Sequence, residues 1–190
     1  MFKFAVTIWF LIFGRKVKVK LKDTHKCFIN SGSYRKWLFS NNGFFHILFW
    51  TLHLAPLNVA FVARRIIRRR YSSEINKGSY TGLVFFPHPI SIVIGSGIEQ
   101  SGRLVVTQNV TIGGNFGRKG HGNIRYPVFS GKIWIGPGTI IGGPVILNGN
   151  LVISGNSVIT KSIGRGLFVG GSLKSKNLIF NDLMSNIEIS

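Results

Sequence analysis

Acidic residues are scarce in this chain of 190 residues, where five Asp and Glu stand against 24 Lys and Arg and give a net charge of +19. Such an imbalance calls for an anionic partner, whether nucleic acid, acidic lipid or a phosphorylated small molecule. The basic residues crowd into 15–26 and 64–70, beside the most apolar parts of the chain. This distribution favours peripheral contact with an anionic membrane over a nucleic-acid groove, so no nucleic-acid partner is expected.

Cysteine is nearly absent as well, since Cys27 is the single one. One cysteine excludes an intramolecular disulfide, and no set of metal ligands can be assembled around it. We therefore expect no metal, and a reducing cytoplasmic setting fits the composition.

Long apolar runs are also few. Residues 4–13 are uncharged but too short to span a bilayer, and no small-residue cleavage site follows, so we expect a surface-lying or buried segment rather than a secretion signal. Residues 44–63 carry no charge but include His46, His53 and Pro56. A membrane-spanning helix is one interpretation of this stretch. An interfacial or packed hairpin of helices is favoured.

The chain does contain aliphatic residues that return at every sixth position, in two blocks (92–112 and 133–159) that an interruption separates. One ladder runs through Ile92, Ile98, Leu104, Val110, Ile133, Thr139, Val145, Leu151 and Ser157. The second runs through Ile94, Gln100, Val106, Ile112, Ile135, Ile141, Leu147, Ile153 and Ile159. Neither a helix nor an ordinary strand requires this period, which is typical of a coil built from short strands and tight corners. A meander of hairpins would also alternate apolar and small residues, but it has no reason to keep one register across two separated blocks.

These patterns predict three parts of the chain. Residues 1–72 form a helical, aromatic and basic segment that contacts a membrane, residues 73–175 form the coil, and residues 176–190 form a tail. Residues 115–131 leave the six-residue register and are too polar for a core. We expect them to form a loop extruded from the coil, where function is commonly found on a rigid scaffold.

The motifs of residues 88–114 (HPISIVIGSGIEQSGRLVVTQNVTIGG) and 125–143 (RYPVFSGKIWIGPGTIIGG), separated by the loop, resemble a known family. They are similar to the serine acetyltransferase branch of the hexapeptide-repeat acyltransferases, and closest to the small polysaccharide O-acetyltransferases of that branch. The resemblance covers roughly residues 72 to 175. It implies an all-β fold, a left-handed parallel β-helix preceded by the helical segment. It also implies a homotrimer that binds acetyl-CoA between neighbouring coils.

The resemblance implies that His88 is the catalytic base, because the family's catalytic histidine begins the same motif. A neutral imidazole can take the proton of a hydroxyl as it attacks a thioester. The alternative is a histidine that fills a core position, since position 88 is in phase with Ile94. The family carries an Asp before this histidine, where the chain has Pro87, and a second His-Pro where the chain has Tyr126-Pro127. Tyr126 is therefore expected to bind or align the acceptor. His121, in the loop, is the other candidate for that role, and a solvated loop histidine without a catalytic role is the alternative for it.

The resemblance further implies where acetyl-CoA lies. Backbone groups near Gly113, Gly114 and Thr139 would pair with the pantetheine amides. Basic side chains would meet the phosphates, and the candidates are Lys161, Arg165 and Lys174. For each of them a surface basic residue unrelated to CoA is the alternative.

The function expected from the residues and the resemblance together is acetyl-CoA-dependent O-acetylation of a sugar hydroxyl. The acceptor would be a bacterial surface polysaccharide or a lipid-linked precursor, modified at the cytoplasmic face of the plasma membrane. Serine O-acetylation is the alternative within enzymes, and a non-catalytic trimeric scaffold is the alternative outside them. One acid, Glu99, lies between residues 80 and 163, which leaves little to meet the ammonium group of serine.

Overall fold

The computed structural model of the chain describes residues 14–29, 32–114 and 124–164, and the backbone of 167–169. The helices come first in the chain and are α1 (Arg15–Phe28), α2 (Tyr34–Phe39), α3 (Asn41–Leu54) and α4 (Leu57–Tyr71). The strands follow and are β1 (Glu74–Ile75), β2 (Ser79–Tyr80), β3 (Leu83–Phe85), β4 (Val93–Ile94), β5 (Glu99–Gln100), β6 (Arg103–Val106), β7 (Thr111–Gly113), β8 (Val128–Ser130), β9 (Lys132–Ile135), β10 (Ile140–Gly142), β11 (Ile146–Asn148), β12 (Leu151–Ile153), β13 (Val158–Ile159) and β14 (Leu167–Val169).

The strands form three parallel sheets that wind around a three-sided prism. Sheet A contains β1, β4, β7, β10 and β13, sheet B contains β2, β5, β8 and β11, and sheet C contains β3, β6, β9, β12 and β14. From β1 to β13 consecutive strands belong to successive sheets, so each turn of the chain visits A, then B, then C, and returns to A one coil further on. The parallel sheets fit the left-handed parallel β-helix that the six-residue period and the resemblance predict. We name the bends between sheets the A–B, B–C and C–A corners.

Both aliphatic ladders point into the prism, as predicted. Every aliphatic member of the two ladders is buried, with relative exposure of at most 5%. Two members are polar and still buried, and both are hydrogen-bonded. Gln100 donates its side-chain amide to the carbonyls of Leu83 and Gly102, and Thr139 donates its hydroxyl to the carbonyl of Ser154. Each hexad thus contributes two inward-pointing side chains to the core, which explains why the sequence shows two ladders.

The all-β class describes the coil but not the helical segment, and within the described residues the helices and the coil share one continuous hydrophobic core. The rings of Phe45 and Phe49 in α3 pack against the ring of Phe86, at centroid distances of 5.0 and 4.9 Å respectively. Phe49 also packs edge to face on Tyr80 of β2, at 5.2 Å. Aromatic side chains bury large apolar areas, so these ring contacts hold α3 against the first coil.

The boundaries of α3 and α4 follow from residues at their ends. The Ser40 hydroxyl accepts a hydrogen bond from the Gly43 amide at 3.1 Å and caps the start of α3. Pro56 follows α3 and precedes α4, where its fixed φ and missing N–H suit the start of a helix. Ser72 then takes a left-handed conformation, with φ of 49°, and ends α4.

Residues 44–63 thus belong to two packed helices with a break at Ala55–Pro56, which agrees with the helical hairpin favoured above. No helix among the residues that the structure describes is both long and apolar enough to cross a membrane.

Helix α1 contacts the coil through polar and aromatic side chains. The Lys20 ammonium donates to the carbonyls of Thr81 and Gly82, at 2.7 and 2.8 Å. Phe28, at the other end of the helix, stacks on Phe85 of β3 with ring centroids 5.2 Å apart. The basic segment is therefore part of the folded body rather than a free arm.

The extruded loop ends earlier than predicted. Strand β8 occupies 128–130, and Phe129 is buried in register with Gln100 and Leu147 of the neighbouring coils. Phe129 lies six residues before Ile135, so the second ladder resumes with an aromatic residue. Residues 115–123 lie outside the described residues.

Candidate active site

His88 lies at the C–A corner of the first coil, between β3 and β4. Its side chain is exposed, whereas Pro89 is buried and Pro87 is half-buried. The two proline rings fix φ on either side of the histidine and remove two amide donors. The corner therefore presents the imidazole to solvent, which does not fit a histidine that fills the core.

Side chains from α3 hold the chain just before His88. The side-chain amide of Asn42 donates to the carbonyls of Phe86 and Pro87, at 2.6 and 2.9 Å. One turn further along the helix, Nε2 of His46 accepts a hydrogen bond from the Phe86 amide at 3.1 Å. Three backbone groups of the corner are thus satisfied by two helix side chains, which makes the position of His88 depend on α3.

The end of α4 holds the other side of the corner. The Tyr71 carbonyl accepts from the Ser91 amide at 3.0 Å, and Ser91 has a φ of +53°. The Ser73 hydroxyl accepts from the Ile92 amide at 3.0 Å and donates to the Tyr71 carbonyl at 2.9 Å. The corner is therefore tied down on both sides of His88.

His46 is fully buried and must be neutral to make its contacts. Because its Nε2 accepts from a backbone N–H, its Nδ1 carries the proton and donates to the Asn42 carbonyl at 2.9 Å. Burial lowers the pKa of His46 to about 4, although the hydrogen bond to Asn42 opposes the shift. The neutral form is thus the one that holds the corner at neutral pH.

Sequence reasoning missed Asn42 and His46 as supports of the site. Their spacing of four residues places two polar side chains on one face of an apolar helix, and that was the available signal. Their partners are 40 to 45 residues away in the chain, so the spacing alone did not identify what they contact.

Tyr126 lies at a different corner. It stands at the A–B corner of the third coil, between β7 and β8, and its side chain is 37% exposed. The ring rests on the backbone of Gly97 and Gly114, and a Cβ added to Gly114 would meet two ring carbons at 3.0 Å. Glycine at both positions is therefore what allows the ring to lie flat against the coil.

The structure does not bring His88 and Tyr126 together within one chain. The strands of sheet A separate the C–A corner, which carries His88, from the A–B corner, which carries Tyr126. His121, the other candidate for the second role, lies outside the described residues. A site that uses both edges needs a second chain.

The residues expected to bind acetyl-CoA divide between the same two edges. Gly113 and Gly114 end β7 at the A–B corner, and Lys161 is exposed at the same corner two coils further on. Thr139 lies at the C–A corner, and its side chain is fully buried, so only its backbone is available. Arg165 and Lys174 lie outside the described residues.

A bare strip of backbone runs along sheet A next to the A–B corner. Gly113 and Gly142 are in register, and a Cβ added to either would meet no atom within 4 Å. Gly95 precedes them in the same column, because Ile94 pairs with Ile112. The open space at Gly113 and Gly142 leaves room for an extended ligand, such as the pantetheine arm of acetyl-CoA, to lie close against the backbone. Within the described ranges, no three His, Cys, Asp or Glu side chains are grouped so that they could hold a metal ion.

The sequence matches no protein-family model and no curated protein. Its fold, in contrast, is that of solved serine acetyltransferases. The Entamoeba histolytica isoform 3 enzyme in complex with cysteine superposes with a TM-score of 0.62 at 19% identity, covering 94% of this chain and 67% of the other. The soybean apoenzyme gives 0.63 at 17% identity, covering 82% and 66%. The Neisseria gonorrhoeae enzyme gives 0.61 at 18% identity, covering 82% and 64%.

The chain thus spans about two thirds of the length of these enzymes. At such low identity the likeness defines the hexapeptide-repeat acetyltransferase fold. The nearer resemblance to polysaccharide O-acetyltransferases stays a prediction.

Proposed function

We propose that the protein is an O-acetyltransferase that moves an acetyl group from acetyl-CoA to a hydroxyl acceptor, with His88 as general base. The observation that carries this proposal is an exposed histidine, fixed on both sides by buried hydrogen bonds, at a corner of a β-helix shaped like that of the serine acetyltransferases. A single rigidly held base on a surface edge suits proton removal from a bound substrate.

The chemistry required of the chain is modest. His88 takes the proton of the acceptor hydroxyl while the oxygen attacks the thioester carbonyl, and the same proton can return to the departing thiolate of CoA. No acyl-enzyme is needed, because both substrates can be held together on the coil. The bare glycine strip supports the donor side, since it offers backbone groups without side chains in front of them.

The same proposal includes a homotrimer, because the candidate residues lie on two edges of one chain. A neighbour that places its A–B corner, with Gly114 and Tyr126, against the C–A corner with His88 would complete the site. Light scattering is expected to give a mass three times that of the 21.1 kDa chain, and dilution below the assembly concentration is expected to abolish turnover. A monodisperse monomer with full activity would contradict this part of the proposal.

The second part of the proposal concerns which class of hydroxyl accepts the acetyl group. The comparisons favour serine, since the solved structures reported above are serine acetyltransferases and the soybean enzyme is also solved with serine. The residues of this chain favour an uncharged sugar hydroxyl. Pro87 stands where the family resemblance places an acid, and its carbonyl is already taken by Asn42.

Neither nearby acid is available for a substrate ammonium group. Glu99 is on sheet B, which does not adjoin the C–A corner. Glu74 begins sheet A, but its Oε1 accepts from Arg64 and Arg68, at 3.1 and 2.9 Å. Hydrogen bonds from these two guanidinium groups lower the pKa of Glu74, so the carboxylate is ionised and engaged.

We therefore expect higher catalytic efficiency on oligosaccharide acceptors than on serine at equal acetyl-CoA, measured by CoA release. Pro87→Asp is the matched variant. It restores an acid beside His88 and is expected to leave serine a poor acceptor, because the surrounding loop is unchanged. A clear preference of the unaltered protein for serine would overturn the sugar acceptor and leave the transfer chemistry in place. CoA release from neither acceptor class would argue against the transferase itself.

A further inference from the structure

The turn between α3 and α4 forms an apolar tip on the surface. Leu54 ends α3 and is 37% exposed, and Leu57 begins α4 and is 77% exposed. Phe61, one turn further along α4, is 64% exposed. Three large apolar side chains in eight residues are left uncovered, although the same helices bury Ala60 and Ala63 completely or nearly so. Clustered exposed apolar residues of this kind mark contact surfaces.

A basic stripe continues from this tip along the outer face of α4. Leu57, Phe61, Arg65 and Arg68 follow one another at intervals of four, four and three residues, which places them on one side of the helix. Arg69 is adjacent and exposed. Arg64, Arg65, Arg68 and Arg69 line a groove together with Phe61. The helix therefore presents apolar residues in its first turns and cations in its last turns on the same face.

The start of α1 adds cations on the other side of the tip. Arg15 and Lys16 line a shallow groove together with Leu54 and Pro56. Both basic side chains are exposed. The apolar tip is therefore flanked by basic residues from two helices.

Acids do little to neutralise this surface. The described residues include three acidic residues, which are Asp23, Glu74 and Glu99. Glu74 pairs with Arg64 and Arg68, and neither Arg65 nor Arg69 has an ion pair within the part of the chain that the structure describes. Cations around an apolar tip are complementary to an acidic lipid surface, whose headgroups carry phosphate and whose interior accepts leucine and phenylalanine.

We propose that this tip and the outer face of α4 dock on an anionic phospholipid bilayer. Leu57 and Phe61 enter the boundary between headgroups and acyl chains, and Arg15, Lys16, Arg65 and Arg69 contact lipid phosphates. A nucleic-acid duplex is a poorer occupant, because its grooves offer nothing to bury Leu57. A second copy of the chain is also a poorer occupant, since both copies would bring positive charge to the contact.

The apolar tip lies at the far end of α3 from the candidate active site, whereas Arg69 is two residues from Tyr71, which holds the His88 corner. Leu54 is at one end of α3 and Asn42, which holds the His88 corner, is at the other. A helix rises about 1.5 Å per residue, so the two ends are about 18 Å apart. The proposal does not depend on acyl transfer, and it can hold even where the proposed function fails.

Vesicle sedimentation of the full chain tests the proposal. Wild-type protein is expected to bind vesicles of phosphatidylcholine with 30% phosphatidylglycerol and to bind pure phosphatidylcholine far less. Arg65→Gln with Arg69→Gln should lower the partition coefficient about thirtyfold, since each basic residue near an anionic surface contributes roughly a factor of five. Leu57→Ser with Phe61→Ser should lower it about tenfold or more.

A control variant at the opposite end of the helical layer separates docking from general stickiness. Phe39 is 85% exposed at the end of α2, and Arg35 and Lys36 are exposed beside it. Arg35→Gln with Lys36→Gln and Phe39→Ser removes a similar number of cations and aromatics, and it is expected to bind vesicles nearly as well as wild type. Circular dichroism checks that each variant is folded.

An environment-sensitive label gives a direct readout. Leu57→Cys carrying a nitrobenzoxadiazole dye is expected to brighten on anionic vesicles, whereas Phe39→Cys with the same dye is not. Buried Cys27 is shielded, and labelled wild type measures its background. The proposal is overturned if the tip variants bind like wild type, if neutral and anionic vesicles bind equally, or if the label at position 39 responds and the label at 57 does not. It is also overturned if the tip variants change only the oligomeric state or only binding to a DNA or RNA duplex.

Discussion

Replacing His88 with alanine is expected to lower kcat by about 100- to 10,000-fold, which is the usual contribution of a general base. The side chain is exposed, so its loss removes little packing, and the melting temperature and acetyl-CoA binding are expected to stay close to wild type. Steady-state CoA release, with a thermal melt and a binding isotherm on the same preparations, separates these quantities. Unchanged turnover would contradict the role of His88.

Asn42→Ala provides a graded comparison. It removes the donor that holds the carbonyls of Phe86 and Pro87 but leaves the imidazole in place. We expect kcat to fall by less than in His88→Ala, because His46 and Tyr71 still hold the corner. Steady-state CoA release by the two variants, measured side by side, checks this order.

The second large effect is loss of stability in acid. Burial lowers the pKa of His46 and of His53 to about 4, although hydrogen bonds to Asn42 and Phe49 oppose the shifts. The unfolded chain binds protons at these residues below about pH 6.5, while the folded chain does not until about pH 4. The free energy of unfolding is therefore fully retained above pH 6.5 and falls as the pH drops towards 4. Each histidine contributes a loss of about 3 kcal/mol across that window.

His46→Gln is the matched variant, because glutamine can donate and accept but does not titrate in this range. At pH 7.5 the variant is expected to be less stable than wild type, since its geometry at the Phe86 amide is poorer. Its loss of stability between pH 6.5 and 4.5 should be smaller than that of wild type by about 1.4 kcal/mol per pH unit. Denaturant unfolding at four pH values measures this difference. Parallel curves for the two proteins would show that His46 does not titrate as described.

The coil could be predicted well from the sequence because its inward-pointing residues recur at a fixed interval. Each of the three sheets in a turn receives an inward residue one hexad after the last, so Ile94 stacks on Ile112 three hexads later and the six-residue period is visible in the chain itself. Phe129 was missed because it continues the ladder with an aromatic side chain. The bounds of the loop were misjudged for the same reason.

The contacts between α3 and the His88 corner have no such period. Asn42 contacts the corner through two hydrogen bonds and His46 through one, all to residues far along the chain, and such pairs leave no repeating signal. No signal in the sequence showed that the candidate residues lie on two different edges of the coil. His88 and Tyr126 were assigned to one site from their motif positions, but sequence spacing does not reveal which corner a residue occupies.

The helices that pack on the first coil also close the end of the prism. Strands β1, β2 and β3 are the outermost members of their sheets, and an uncovered parallel edge invites another strand to pair with it. Here Lys20 caps the carbonyls of Thr81 and Gly82, and Asn42 caps those of Phe86 and Pro87. A β-helix can in principle grow end to end into a fibre, and the helices that these side chains tie to the first coil cover the end at which a second molecule would add.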